Sequence, residues 1–222
     1  MERWIHLMGE IAALRKENIS DAVIRRLPRY YRQLSDLRAR GIVRISSRSL
    51  GREMGITASQ IRQDFSCFGE FGQQGYGYHV EELYMEIGHI LGVDQRHRLI
   101  IIGAGHLGHA LLQNFPFSKT GFTVDAAFDV SPLVIGSVVN GVPVYDMEKL
   151  EEFLRRSPVD VVVLTVPRNV VEEIAGRLIH LGVRGFWNFT NLELTSSHPD
   201  VKFENIHFAD SLLTLSYRIA HR

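Results

Sequence analysis

Two hydrophobic periodicities divide the chain, and the change falls near residue 97. Ahead of it, apolar residues recur at helical three- and four-residue spacings; beyond it, short continuous apolar runs alternate with helical stretches. Residues 2–17 read as a short amphipathic helix. In "SDAVIRRLPRYYRQLSDLRARG", Ser20 or Asp21 can cap a helix whose inner face is Leu27, Tyr30, Tyr31, Leu34 and Leu37. Gly41 ends it, and Pro28 is expected at the start of the main helix, because proline has no N–H to give an interior turn. "RISSRSLGREMGITASQIRQDFSCFGEFGQQGYGYHV" then gives two short helices. Ser46 or Ser47 caps the first, which runs to Met54 and stops at Gly55; Thr57 caps the second, from Ala58 to about Phe68. Two short helices about a tight turn make a helix-turn-helix. Glycines 72, 75 and 77 among aromatics predict a β-hairpin wing. A connecting helix (80–93) and a polar hinge (94–97) follow.

In the second half the spacing predicts strands at 99–102, 122–128, 159–166, 184–189 and 201–208, and helices at 106–114, 149–157, 169–182 and 209–222. The segment after 128 is expected to be loop. Strand and helix alternate, and "VDVVVLTV" is apolar throughout, as a strand covered on both faces must be. The expected fold is α/β, a winged helix-turn-helix followed by a Rossmann-type, doubly wound parallel sheet. The predicted division is an extension (1–19), the winged helix (20–80), connecting helix and hinge (81–97), the Rossmann domain (98–206) and a C-terminal dimerisation helix (207–222).

The glycine pattern sharpens this reading. "RLIIIGAGHLGHALLQNF" sets Gly103, Ala104, Gly105, His106, Leu107 and Gly108 between a strand and a helix, the context in which G-x-G-x-x-G binds a dinucleotide. Gly103 permits the turn, Gly105 lets a pyrophosphate reach the backbone, and Gly108 lets helix pack on strand. Asp129, 21 positions past Gly108, can accept from both ribose hydroxyls and would repel a 2′-phosphate, which favours NAD(H) over NADP(H). Thr165, Val166 and Pro167 end one strand, and Asn188 and Phe189 another, at the edge where such sheets bind ligands. A glycine turn in a plain α/β fold, or a coenzyme A site, would give the same loop.

Charge separates the halves. Residues 1–80 hold 13 Lys and Arg against 8 Asp and Glu, and 20–62 hold 10 arginines against 3 acids, in a chain of zero net charge. A basic module joined to an acidic one suggests that only the first meets a polyanion. On the second short helix, Ser59, Gln60, Arg62 and Gln63 share an exposed face opposite Ile61, Phe65 and Phe68. Arginine can grip guanine, glutamine can pair with adenine, and serine suits phosphate. Ser46 and Ser47 at the first helix start, and Gln73, Gln74 and Tyr76 in the wing, complete the candidate DNA contacts.

Other features recede on inspection. Tyr145 and Lys149 form Tyr-x-x-x-Lys, but the glycine spacing is not that of short-chain dehydrogenases. His106 and His109 lack a second pair of ligands, so no metal is expected. Cys67 reads as a small apolar filler. One cysteine, no secretory leader and no membrane-length apolar run fit a cytoplasmic protein without membrane association. No acid/base constellation supports an enzyme, although a small NAD-dependent oxidoreductase with an accessory domain remains the rival class.

Taken in order, "RRLPRYYRQL", "RISSRSLGREMGITASQIRQDFSCFGEFGQQGYGY", "IIIGAGHLGHAL", "FDVSP", "LTVPR", "GFWNFTN" and "ENIHFADSLLTLSY" resemble the redox-sensing transcriptional repressors of the Rex family, from about Ile19 to the C-terminus. The resemblance implies a cytoplasmic homodimer on palindromic operators of respiratory and fermentative genes, released by NADH with NAD⁺ competing. It also implies C-terminal helices swapped between subunits, and the cofactor and DNA contacts named above. Leu212, Leu213, Leu215 and Ile219, with no later element to cover them, agree with the swap. The chain departs from the family pattern at Gln63, Gln73 and Gln74, where basic residues are common. It departs again at Asn191, where proline is usual. His207 stands where some members carry an aspartate of an Asp–Arg–Tyr switch, with Asp210 three residues later, and Asn114 and Phe115 stand where the tyrosine is expected.

Overall fold

A computed structural model describes residues 19–69, 71 and 76–221, in two compact units that divide between Asp94 and Gln95. The expected helix at 2–17, and with it nearly all of the extension, lies outside the described residues, as do Gln73 and Gln74 of the wing.

The first unit is helical. A single turn, α1 (Asp21–Ile24), precedes α2 (Leu27–Ala39), with Pro28 in its first turn as the missing N–H requires. Helix α3 (Ser47–Met54) is capped by Ser46, whose Oγ accepts from the Ser49 N–H at 3.0 Å. Gly55 leaves it in the left-handed region at φ 70°, and Thr57 caps α4 (Ala58–Ser66) by accepting from the Gln60 N–H at 3.1 Å. Strand β1 (Arg44–Ile45), ahead of α3, pairs antiparallel with β2 (Tyr78–His79), so the described part of the wing is tied to the segment that precedes the helix-turn-helix. The connecting helix α5 (Val80–Ile90) belongs to this unit's core. Val80, Leu83 and Ile87 are buried with Leu27, Tyr30, Leu34, Leu37, Leu50, Ile61 and Phe65. Tyr31 and Tyr84 stack at 4.4 Å, and the Arg38 guanidinium lies 4.1 Å over the Tyr84 ring.

The second unit is a seven-stranded sheet. Its strands are β3 (His97–Ile102), β4 (Phe122–Asp129), β5 (Val138–Val139), β6 (Val142–Asp146), β7 (Val161–Leu164), β8 (Gly185–Asn188) and β9 (Lys202–Asn205). They lie in the order β5-β6-β4-β3-β7-β8-β9, parallel except for the β5–β6 pair. Without β5 this is the 3-2-1-4-5-6 order of a dinucleotide-binding sheet. The expected loop after 128 is therefore a correction: it contains a hairpin that turns at Asn140 (φ 49°) and Gly141 (φ 82°) and extends the sheet by two strands. Helices α6 (His106–Asn114), α7 (Leu150–Arg156) and α8 (Val171–His180) cover the sheet. Ile100, Ile102, Val162 and Leu164 point into one core with residues of α7 and α8; Leu99, Ile101 and Val163 point into another with Leu112 of α6.

The last helix, α9 (Phe208–Ala220), buries none of its residues within the chain. Phe208, Leu212, Leu213, Leu215, Tyr217 and Ile219 are all more than half exposed. Among the described residues no helix is long and apolar enough to cross a membrane.

Candidate functional site

The glycine loop joins the end of β3 to the start of α6, and two of its three glycines answer a steric demand of the chain itself. Gly103 sits at φ 98°, and a Cβ there would stand 2.8 Å from the Thr165 carbonyl oxygen. A Cβ on Gly108 would lie 1.9 Å from the Gly103 carbonyl oxygen, so α6 starts against the loop backbone itself. Gly105 has an ordinary φ of −66°, and a Cβ there would meet nothing within 4 Å. The loop is thus packed on two sides and open at Gly105. The first N–H groups of α6 have no helical partners and no side-chain cap, so Gly105 to Gly108 offer donors and the positive end of the helix dipole to an anion.

Two side chains hold this loop. Asp129, at the end of β4, accepts from the Ala104 N–H at 2.6 Å and, through its other oxygen, from the Ser131 N–H at 2.8 Å. A carboxylate has about four acceptor positions, so two remain for ribose hydroxyls. The Thr165 hydroxyl, just past β7, donates to the Gly103 carbonyl at 2.7 Å and locks the neighbouring strand end onto the turn.

The other expected cofactor residues are distributed differently. Val166 is half-buried against the α8-side core and Pro167 is exposed, whereas Phe189 is buried in the α6-side core against Trp187 and Phe208. Val166 and Phe189 therefore lie on opposite faces of the sheet. Asn188 is 1% exposed and its amide is saturated within the protein. It donates to the Leu192 carbonyl at 2.6 Å and Asn205 Oδ1 at 2.8 Å, and accepts from the Thr190 N–H and hydroxyl. Its role in the structure is to shape the 189–194 loop. From Asn205 the network continues to Glu193, and Glu193 meets His207 Nε2 at 2.8 Å, at the residue just before α9.

In the helical unit, Ser59, Arg62 and Gln63 are exposed on α4 as the spacing predicts, and Tyr76 is 70% exposed. Arg62 donates to Ser47 Oγ at 3.1 Å, so Ser47 steadies an arginine while Ser46 serves as a cap. Gln60 is half-buried, its amide nitrogen 2.7 Å from Asp64 Oδ1. Asp64 itself was not singled out from the sequence. It is fully buried, and it takes both Arg26 Nε at 2.7 Å and Nη2 at 2.8 Å, with the Tyr30 hydroxyl at 2.6 Å. Also missed were Arg44, Arg48 and Arg52, exposed cations around β1 and α3 with no carboxylate partner among the described residues. Among those residues no group of three or more metal-ligating side chains occurs.

Comparison with known proteins bears on both units. Residues 18–66 match the family described as "Putative DNA-binding protein N-terminus", and residues 94–192 the "CoA binding domain" family. A redox-sensing transcriptional repressor Rex of Thermoanaerobacter pseudethanolicus is 47% identical over 205 residues, 92% of this chain and 91% of the relative. One from Clostridium perfringens is 42% identical over 207 residues, 93% and 97% of the two chains. Among solved structures, RSP in complex with β-NAD⁺ and operator DNA superposes with a TM-score of 0.85 at 47% identity, covering 90% of this chain and 92% of that one. RSP in complex with β-NADH gives 0.84 at 44% identity, covering 91% and 94%.

Proposed function

Because the chain belongs to the Rex family of redox-sensing transcriptional repressors, we propose that it represses transcription by binding operator DNA and leaves the operator when NADH occupies its glycine loop. The observation that carries this reading is the pairing, in one chain, of a capped helix-turn-helix with a dinucleotide loop of the required sterics. No substrate domain is needed, since the nucleotide is the signal and the chain is a regulator rather than a catalyst.

On this reading α4 enters the major groove. Ser59, Gln60, Arg62 and Gln63 face the bases and phosphates, Arg44, Arg48 and Arg52 add phosphate contacts, and Tyr76 with Gln73 and Gln74 supports the wing side. In the second unit Gly103 to Gly108 receive the pyrophosphate and Asp129 the adenosine ribose. At the carboxyl edge of the sheet, Thr165, Val166 and Pro167 border the nicotinamide half from the end of β7 and Phe189 from the end of β8, on the other face, with Asn188 shaping the loop beside them. The neutral dihydronicotinamide loses less on leaving water than the cationic ring of NAD⁺, so a water-poor strand edge favours NADH. Release requires NADH to prefer the DNA-incompetent form by about 1–3 kcal/mol. The uncovered apolar face of α9 fits a homodimer in which that helix packs on the partner subunit, in the cytoplasm where both the nucleotides and the operators are found.

The test is operator anisotropy with the full chain on a labelled palindromic Rex-type duplex, titrated with NADH and separately with NAD⁺. Release by NADH and not by NAD⁺ is expected; binding indifferent to both nucleotides would refute the sensor. Asp129→Ala should weaken NADH binding by about tenfold or more, as expected when a charged hydrogen-bonding partner is lost. Its operator affinity without nucleotide should stay unchanged. Equal losses of both would show that the two units are not separable. The family match at 94–192 makes coenzyme A the control ligand, and no release is expected with it.

A further inference from the structure

Asp64 is the one fully buried carboxylate among the described residues, and it lies on the inner face of α4 with Ile61 and Phe65, next to the exposed Gln63. An ionised carboxylate can only accept hydrogen bonds. Gln60 must therefore turn its amide nitrogen toward Asp64, and the 2.7 Å contact fixes which end of that amide faces inward. This is not the ordinary course for a glutamine here. Thr57-x-x-Gln60 is a capping-box spacing, in which the glutamine would reach back to the N–H of the capping residue. The threonine does accept from the Gln60 N–H, but the Gln60 side chain runs forward to Asp64 instead. Asp64 is held in turn by two guanidinium nitrogens of Arg26, Nε and Nη2, and by the Tyr30 hydroxyl, so the anchor is rigid.

We propose that Asp64 makes Gln60 a fixed adenine reader and so is a specificity-determining residue that never touches DNA. This rests on α4 being the recognition helix. One amide proton of Gln60 is committed inward. What remains is one N–H and the Oε1, which has no partner among the described residues. One donor beside one acceptor complements the major-groove edge of adenine, where N7 accepts and the N6 amino group donates. Guanine offers two acceptors at the same edge and leaves Oε1 facing O6. Gln60 stands in the first turn of α4, the part of a recognition helix that contacts base edges. Gln63 is exposed and its side chain has no partner among the described residues, so it lacks this orientation.

Selection from a randomised duplex library with the full chain, followed by sequencing, reads the preference directly. Wild type is expected to select one adenine in each half-site that becomes degenerate in Gln60→Ala and in Asp64→Asn, while the other positions persist. Replacing that adenine by 7-deaza-adenine, which removes N7, should weaken wild-type binding about tenfold and leave Gln60→Ala unaffected. A motif unchanged in Gln60→Ala, or indifference of wild type to the 7-deaza base, overturns the proposal while leaving the recognition helix in place. Failure of wild type to select any motif removes the recognition helix as well. If Asp64→Asn does not fold, side-chain amide exchange in the wild-type NMR spectrum decides. Gln60 should exchange more slowly than Gln63, and equal rates would overturn the anchor.

Discussion

Gly108→Ala is expected to unfasten the nucleotide loop, lowering the melting temperature and reducing NADH affinity by at least an order of magnitude. The added methyl would stand 1.9 Å from the Gly103 carbonyl oxygen and 3.0 Å from the Thr165 hydroxyl. Neither neighbour can yield, because Gly103 is the turn itself and the Thr165 hydroxyl donates to that same carbonyl. The start of α6 must instead back away from β3, with an overpacking penalty of about 1–3 kcal/mol. The N–H groups it aims at the ligand would be displaced with it. Gly105→Ala supplies the contrast. Its Cβ meets nothing within 4 Å and its φ of −66° suits any residue, so stability should stay within about 0.5 kcal/mol of wild type. The methyl would nevertheless occupy the open side of the loop where a pyrophosphate approaches, and NADH affinity should fall. Calorimetric melting alongside fluorescence titration of NADH separates the two. If Gly105→Ala binds as wild type does, the phosphates do not lie against that residue.

Most local features are legible in the sequence, and contacts between distant residues are not. Ser46, Gly55 and Thr57 mark helix ends through bonds to residues within four positions, so the helix-turn-helix can be placed from spacing alone. The continuous apolar run at Val161–Leu164 likewise declares a strand covered on both faces. The β5–β6 hairpin escaped despite its Asn140-Gly141 turn, the strongest short hairpin signal there is. Strand β5 is only two residues long, and Pro143 in β6 argues against a strand. Asn188 reads from the sequence as a ligand group because it ends a strand at the binding edge. Its saturation depends on Asn205, 17 residues further on, whose position no periodicity reveals. Asp64 does carry a signal in the sequence. It lies three residues from Ile61 and one from Phe65, on the buried face of α4, where a charge demands a partner.

That buried charge carries the other large effect: Asp64→Ala should destabilise the helical unit by about 3 kcal/mol. Removing one member of a buried pair typically costs 3–5 kcal/mol, and the lower end applies because the Arg26 side chain is a quarter exposed and can recover some water. The Tyr30 hydroxyl, fully buried, has no such recourse and loses its acceptor. Denaturant unfolding followed by the helical signal measures the loss, and a change under 1 kcal/mol would mean that the cluster is not a structural anchor. The pH dependence gives a second signature. Burial alone would raise the Asp64 carboxyl, but hydrogen bonds from Arg26, Tyr30 and Gln60 more than reverse this and hold it below the usual carboxylate range. A group depressed in the folded state stabilises fully above its unfolded pKa, about 3.9, and that contribution is lost as pH falls through the folded value. Tyr30 moves the other way. Burial first, and then the Asp64 carboxylate beside it, raise its phenol well above 10. Its contribution is complete below about pH 10 and is lost as pH rises through the folded value, where a phenolate would face a carboxylate. Wild type should therefore lose stability at both extremes relative to Asp64→Ala, so the difference between the two chains is greatest from about pH 5 to 9 and narrows on either side.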